Sequence, residues 1–361
     1  MLLKRGTFAY PKTMLGLDRR TLRVVWTIFL FALVIAAAYA ARRTLLVFTL
    51  ALFLAHLIAP VVEFVERSVS RRVPRTVVLA VVYVVLLAAV GSVLVSIGTR
   101  IAEEASNLAG TLPAAIEQQD PFSRIPLPSW LEPMRARLTG MLRDRVQDLN
   151  QDVVPILRGA GIRIVTGIGS LLSIILIPIL SFFFLKDGHQ MREAFVDAFA
   201  PAHRATVDEI LGELHTLLAQ YIRSLVILSL VAFAAYFTFL SAIGVPYAIL
   251  LTGIGAILEF IPVVGPLTAA VIILLVAAFT GYSHILWILA FLALYRLFQD
   301  YVLSPYLMSS SVEIHPLLVL FGVLAGDQIA GIPGMFFSVP AMAALRMIFF
   351  RFRRHRLRHA A

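Results

Sequence analysis

Residues 224–295 read SLVILSLVAFAAYFTFLSAIGVPYAILLTGIGAILEFIPVVGPLTAAVIILLVAAFTGYSHILWILAFLALY, and Glu259 is their single formally charged side chain. A transmembrane helix needs about 20 apolar residues. Residues 224–243 meet that need, whereas 247–280 is too long for one crossing and is interrupted at Glu259-Phe260-Ile261-Pro262-Val263-Val264-Gly265-Pro266. Proline removes a backbone donor and clashes one turn back, and glycine lets the chain bend. Inside hydrocarbon such a break strands amides and carbonyls, which is tolerable only where protein or a water-filled cavity covers them. The stretch therefore predicts a helical membrane protein with an interrupted segment at its centre.

The whole chain of 361 residues agrees: 60% is hydrophobic and 14% charged, with a mean hydropathy of +0.90. Soluble domains run near 45–50% apolar and about 25% charged. This balance excludes a soluble enzyme, a secreted disulfide scaffold and a disordered chain. Cysteine is absent, which removes disulfides, thiolate metal sites and cysteine nucleophiles. A net charge of +10 would suggest nucleic acid in a soluble domain. Here the basic residues crowd the ends and short loops, so the lipid bilayer is the expected partner and nucleic acid is not. The sequence contains neither G-x-x-x-x-G-K-[ST] nor H-E-x-x-H, so no cofactor or metal is expected. The spans hold no paired histidines and no Ser–Lys pair at helical spacing, which argues against an enzyme.

Working outward, apolar runs cover residues 24–40, 44–62, 76–99, 164–185, 224–243, 247–280, 283–301 and 316–345. The expected fold is an all-α integral membrane protein of about eight hydrophobic segments, two of them broken or re-entrant, with a small extracytoplasmic helical insertion. The parts are an N-terminal membrane region (1–99), the insertion (100–163), a fourth span with a cytoplasmic amphipathic helix (164–223), a C-terminal membrane region (224–348) and a basic cytoplasmic tail (349–361). In the insertion, Leu138, Leu142, Val146, Leu149, Val153 and Ile156 share one helical face. Val207, Ile210, Leu211, Leu214, Leu217 and Tyr221 do the same before the fifth span, and packing is the expected use of both stripes. Lysine and arginine set the orientation. Lys4, Arg5, Lys12, Arg19, Arg20 and Arg23 precede the first span, and Arg67, Arg71, Arg72 and Arg75 follow the second. The tail carries Arg351, Arg353, Arg354, Arg356 and Arg358 without an acid. Both termini are expected in the cytoplasm. Ala38-Tyr39-Ala40 resembles a signal-peptide cleavage site, but the apolar run is longer than an h-region, so a retained helix is expected.

A second break reads Ala325-Gly326-Asp327-Gln328-Ile329-Ala330-Gly331-Ile332-Pro333-Gly334. Paired broken segments are the sequence pointer to a transporter's binding site. After Glu259 only Asp300, Glu313 and Asp327 are acidic, and Asp327 sits within this second break. A carboxylate at membrane depth costs about 2.5–3.5 kcal/mol or more, which makes Glu259 and Asp327 functional candidates. Arg296 and Asp300 lie one helical turn apart and suit an ion pair. His315 before Pro316 suits a helix cap, and Gly322-x-x-x-Gly326 suits close helix approach. Two topologies satisfy the basic tail. Eight crossings put Ser283 inside and Ser309 outside; two re-entrant hairpins reverse both. Eight crossings is the working expectation.

At these residues the chain resembles the autoinducer-2 exporter family of bacterial membrane proteins. The resemblance runs over roughly residues 24–348. Its motifs are Phe184-Leu185-Lys186-Asp187-Gly188, Gly244-Val245-Pro246, Ile261-Pro262-Val263-Val264-Gly265-Pro266, Gln299-Asp300 with Leu303-Ser304-Pro305, Ile314-His315-Pro316-Leu317, Ala325-Gly326, Gly331-Ile332-Pro333-Gly334 and Val339-Pro340. Val263 stands where an aromatic is common, Asp327 where a second glycine is common, and no glycine occurs in Ser309-Ser310-Ser311. Asp327 adds a charge to the second break, so a substrate does not transfer with membership. The resemblance implies a homo-oligomeric secondary transporter of the bacterial inner membrane that exports a small polar solute. It also implies that Pro262, Gly265 and Pro266 shape the site backbone, with Gln299, Asp300 and His315 beside it. The expected pathway is Glu259, Pro262, Gly265, Pro266, Arg296, Gln299, Asp300, His315, Gly326, Asp327, Gly331 and Gly334. Sodium– or lithium–proton antiport is the alternative chemistry, and a non-transporting scaffold or accessory protein is the alternative class.

Overall fold

The computed structural model describes residues 19–68, 73–118, 171–308 and 315–360. Every regular element among them is helical: α1 Arg19–Ala40, α2 Arg42–Ser68, α3 Arg75–Gln118, α4 Leu171–Asp197, α5 Pro201–Ala242, α6 Ala248–Leu258, α7 Val264–Phe279, α8 Ile285–Phe298, a π-helical turn Gln299–Leu303, α9 Ser304–Met308, α10 Pro316–Ala330 and α11 Ile332–Ala360. Residues up to Thr49 form one unit and Leu50 onward another. In the first unit, the Arg42 guanidinium sits over the Tyr39 ring at 4.5 Å. The amphipathic stripe at 138–156 and the first residues of the expected fourth span lie outside the described residues.

Five helices among the described residues are long and apolar enough to cross a membrane: Leu22–Ala40, Arg42–Ser68, Arg75–Thr111, Pro201–Ala242 and Ile285–Leu307. Four shorter apolar helices remain, Ala248–Leu258, Val264–Phe279, Leu317–Ala330 and Ile332–Met347. At 1.5 Å per residue the first three reach only about 16–24 Å, short of a 30 Å hydrocarbon core, and the fourth is the apolar start of the 29-residue α11. They do not continue one another across the breaks. They fold back as two helical hairpins, α6–α7 (hairpin A) and α10–α11 (hairpin B). In hairpin A, Leu251 near the start packs with Ile273 and Ala277 near the end. In hairpin B, a Cβ placed on Gly326 would strike the Gly334 backbone, and one on Gly334 the Gly326 backbone. Each break is a reversal of the chain, with a positive-φ residue in its turn.

That residue is Val263 in hairpin A, at φ 64° and ψ −56°, and Gly331 in hairpin B, at φ 63°. Val263 forms the rare left-handed γ-turn, with the Val264 amide donating to the Pro262 carbonyl at 2.7 Å. A β-branched residue there stores roughly 1–3 kcal/mol of backbone strain. Val263→Gly should therefore raise the thermal midpoint of the detergent-solubilised protein. An unchanged or lowered midpoint would remove the strain account. The rest of turn A is satisfied locally: Ile261 donates to Leu258 at 2.9 Å and Gly265 to Ile261 at 3.0 Å. Gly265 is required, since a Cβ there would enter the Leu258 carbonyl.

The base of hairpin A rests on α3, which runs unbroken past residue 99, the edge first expected for the outer insertion. Ala105 and Leu108 of α3 pack with Leu250, and the Leu250 amide donates to the Glu104 carboxylate at 2.8 Å. This carboxylate satisfies one of the free amides of the first turn of α6. Elsewhere, Ile58 and Val62 of α2 pack with Leu79 and Tyr83 of α3, and the Tyr83 hydroxyl donates to the Pro178 carbonyl of α4 at 2.6 Å.

Helices α5 and α8–α9 lie side by side in opposite directions. The Tyr282 hydroxyl donates to the Ile243 carbonyl at one end at 2.7 Å, Tyr236 meets Tyr295 in the middle, and the Ser224 hydroxyl donates to the Leu307 carbonyl at the other end at 3.0 Å. Hairpin A opens toward the Ile243 end of α5. Hairpin B opens toward the opposite end: Phe336 packs on Tyr221, while Arg351 further along α11 is paired with both Glu209 and Glu213. These two carboxylates hold the Arg351 guanidinium above its ordinary pKa. The turns approach each other inside the bundle, with the Phe260 and Phe336 rings 5.8 Å apart.

Candidate functional site

Glu259 caps the C-terminus of α6 and is carried into the protein by the reversal that follows it. Its side chain is 5% exposed. Opposite it, on the helix that returns through α8, stands Gln299, 3% exposed and the first residue of the π-helical turn. The Gln299 amide nitrogen donates to Glu259 Oε1. A π turn shifts the register of the side chains beyond it and is frequent at functional sites. Here Gln299 opens that turn and adds a polar side chain to the buried face formed by Ile288, Leu292 and Tyr295.

Three oxygen atoms at this point are buried and have no hydrogen-bond partner: Glu259 Oε2, Gln299 Oε1 and the Tyr295 hydroxyl. Tyr295 lies one turn before Gln299, and its ring meets Tyr236 edge-on at 5.1 Å. Tyr236 is seated against Gly255, where a Cβ would come within 2.6 Å of the ring. Both tyrosines feel the charge of Glu259. Ser229 donates to the Ala256 carbonyl at 2.8 Å, tying α5 to the last turn of α6. A buried carboxylate with one oxygen unfilled, facing an amide oxygen and a hydroxyl, is a ready acceptor for a proton or a small cation.

Arg296 and Asp300 pair at 2.8 Å on the outer side of the same helix, both partly exposed. Glu259 also feels both of these charges. They form a neutral couple beside the site, and a pair this exposed adds little stability.

The structure brings together Glu259, Pro262, Gly265, Pro266, Arg296, Gln299 and Asp300. The Glu259 carboxylate makes no hydrogen bond or ion pair to His315, Gly326, Asp327, Gly331 or Gly334. His315 is an exposed cap whose Nδ1 accepts from the Leu317 amide at 3.3 Å. Gly326 and Gly334 are the crossing point of hairpin B, and Gly331 is its turn. Asp327 is exposed beside that turn. Tyr236 and Tyr295 were not anticipated. Their spacing from Gln299 and Glu259 became meaningful only when α5, α6 and α8 were seen to converge. Among the described residues no group of three or more His, Cys, Asp or Glu side chains is placed to hold a metal ion.

Comparison with known proteins agrees with this architecture. The family profile described as AI-2E family transporter matches residues 28–354. The chain is 26% identical over 332 residues to YtvI of Bacillus subtilis, covering 87% of this chain and 89% of that protein. It is 26% identical over 265 residues to YueF of the same organism, covering 71% of each. Against YrrI, also from that organism, identity is 29% over 187 residues, and the match spans about half of each protein, 51% and 52%. All three are provisionally named transport proteins. With a family match over most of its length and a broken-hairpin membrane fold, the chain belongs to the AI-2E transporter family.

Proposed function

We propose that this protein is an ion-coupled secondary transporter that moves a small polar solute out of the cell, with Glu259 as the coupling carboxylate. The carrying observation is the buried, partnerless trio of Glu259 Oε2, Gln299 Oε1 and the Tyr295 hydroxyl at the turn of a broken hairpin. An unneutralised carboxylate is costly in a dry interior. Hairpin A closes over Glu259 when a proton or cation occupies it, and water enters when the occupant leaves. Opening and closing then couple ion movement to the solute. Family membership supports a small autoinducer-2-like polar molecule as that solute.

Exchange of sodium or lithium for protons is the second reading, and one observation favours it. The three free atoms are all oxygens, two of them pure acceptors, which suits a hard cation as well as a proton. Purified protein in liposomes with an internal pH dye separates the two readings. Proton flux that answers to sodium or lithium, with no organic solute present, supports antiport. Flux that appears only when a polar solute is supplied supports export. Silence under both conditions overturns the transport reading.

The topology proposed with this function has both termini in the cytoplasm and both hairpins re-entrant, A from outside and B from inside. The short helices support it, since α6, α7 and α10 are each too short to cross. The chain lacks cysteine, so single substitutions can be labelled without background. Ser283→Cys should react with an impermeant thiol reagent only from outside, and Ser309→Cys only from the cytoplasm. The reverse pattern would restore eight crossings.

A further inference from the structure

The two hairpins share more than a reversal. α6 begins at Ala248 and α10 at Pro316, 68 residues later. The same interval of 68 separates the helix starts Val264 and Ile332, and the positive-φ residues Val263 and Gly331. It also separates Glu259 from Asp327, and Ile261 from Ile329. Both turns therefore read acid-x-Ile-x-turn residue, with a new helix starting on the next residue. Each hairpin follows a long helix, α5 in the first case and α8–α9 in the second. Those helices are antiparallel, so the hairpins enter from opposite ends and their turns meet at Phe260 and Phe336.

We propose that α5–α7 and α8–α11 are the two halves of an inverted-topology repeat, and that Asp327 is the matched second ion-binding carboxylate, open in this state and closed over in the opposite one. The proposal rests on the reading of Glu259 as an ion site and extends it to the other half. Inverted repeats place substrate and ion sites at the interface of their halves, and one half moves against the other during transport. Two halves with the same turn can exchange conformations at small cost. In the present state the first half is sealed, with Glu259 at 5% exposure, and the second is open, with Asp327 exposed.

Exposure of Asp327 calls for a reason of its own. Its chain neighbours Leu324, Ile329 and Ile332 are exposed and apolar, and a carboxylate left at membrane depth is costly. A periodic return to a closed, ion-neutralised position resolves that conflict. The halves also differ in one respect that gives the cycle a direction. At the same interval Gln299 corresponds to Val231, so no amide waits for Asp327. Ion binding should be tighter at Glu259 than at Asp327.

The test uses the full-length chain in liposomes, with single cysteines at the matched positions Phe260→Cys and Gln328→Cys. Labelling rates are measured with an impermeant thiol reagent in three backgrounds: unaltered, Glu259→Gln and Asp327→Asn. Glu259→Gln mimics a permanently occupied first site. It should slow labelling at position 260 and speed it at 328. Asp327→Asn should do the opposite, each by about fivefold or more, the usual scale of coupling between sites. Movement of both cysteines in the same direction, or no response to Asp327→Asn in correctly sized, monodisperse protein, would overturn the repeat. An Asp327→Glu control that keeps the unaltered labelling rates assigns the response to charge and not to misfolding. If Glu259→Gln leaves flux intact while the reciprocal labelling appears, the ion-site reading fails and the repeat stands. If flux is lost without reciprocity, the repeat fails and the ion-site reading stands.

Discussion

Glu259→Gln is expected to abolish ion-coupled flux while leaving the protein folded. Glutamine keeps the shape of the side chain and can still accept from Gln299 at its oxygen, so hairpin A retains this polar tie. It cannot release a proton at working pH and carries no charge for a cation. Burying a neutral amide avoids the cost of a membrane carboxylate, about 2.5–3.5 kcal/mol or more. The variant should therefore melt at or above the temperature of the unaltered protein. The measurement is dye-reported proton flux in liposomes beside a melting curve in detergent. Lost flux with equal or higher stability supports a coupling role. Full flux at equal reconstitution would end the assignment of Glu259 as the coupling residue. Gln299→Leu provides the complementary case. It removes the donor to Glu259 Oε1 and leaves a buried carboxylate unpaired, so it should lower both stability and flux.

The second large effect concerns hairpin B. Gly334→Ala should destabilise the protein severely, because the new methyl would enter the Gly326 carbonyl. Overpacking a fixed core costs about 1–3 kcal/mol where side chains can yield. Here the obstacle is backbone on the facing helix, so the cost belongs at or above the top of that range. Gly326→Ala meets the Gly334 backbone from the other side and should cost a similar amount. The two sites share one contact, so the double variant should lose clearly less than the sum of the singles. Thermal unfolding of the four proteins checks this. Additive losses would mean that the glycines act separately, not as one crossing point. Gly322→Ala should be milder, because its nearest obstacle is the flexible Met342 side chain at 3.0 Å.

Much of this is legible in the sequence. The charge-free run around Glu259 announced the membrane, and Pro262, Gly265 and the 325–334 segment marked both breaks at the correct residues. Hydropathy reports how long a segment stays apolar, so it located the interruptions without saying whether the chain continued or turned. Direction depends on φ at one residue, and nothing local makes valine an obvious candidate for a left-handed turn. At Val263 the turn is closed by the Val264 amide on the Pro262 carbonyl, between helices that pack together through Leu251, Ile273 and Ala277.

The site divides along the same line. Composition and spacing alone establish an all-helical membrane protein, a lone acid in a long neutral stretch, and two Gly/Pro-centred interruptions. These are short-range properties, set by the cost of putting charge and unpaired backbone into hydrocarbon. Which groups face that acid is a long-range matter. Gln299 meets Glu259 because it continues the buried face of Leu292 and Tyr295 on α8, and Tyr236 meets Tyr295 there because α5 and α8 run antiparallel past the hairpin. Neither Asp327 nor His315 is hydrogen-bonded to Glu259, although the sequence presents Asp327 and Glu259 alike as acids within a break. Hydrocarbon cost selects where polar groups are rare, and only the convergence of distant helices selects which of them meet.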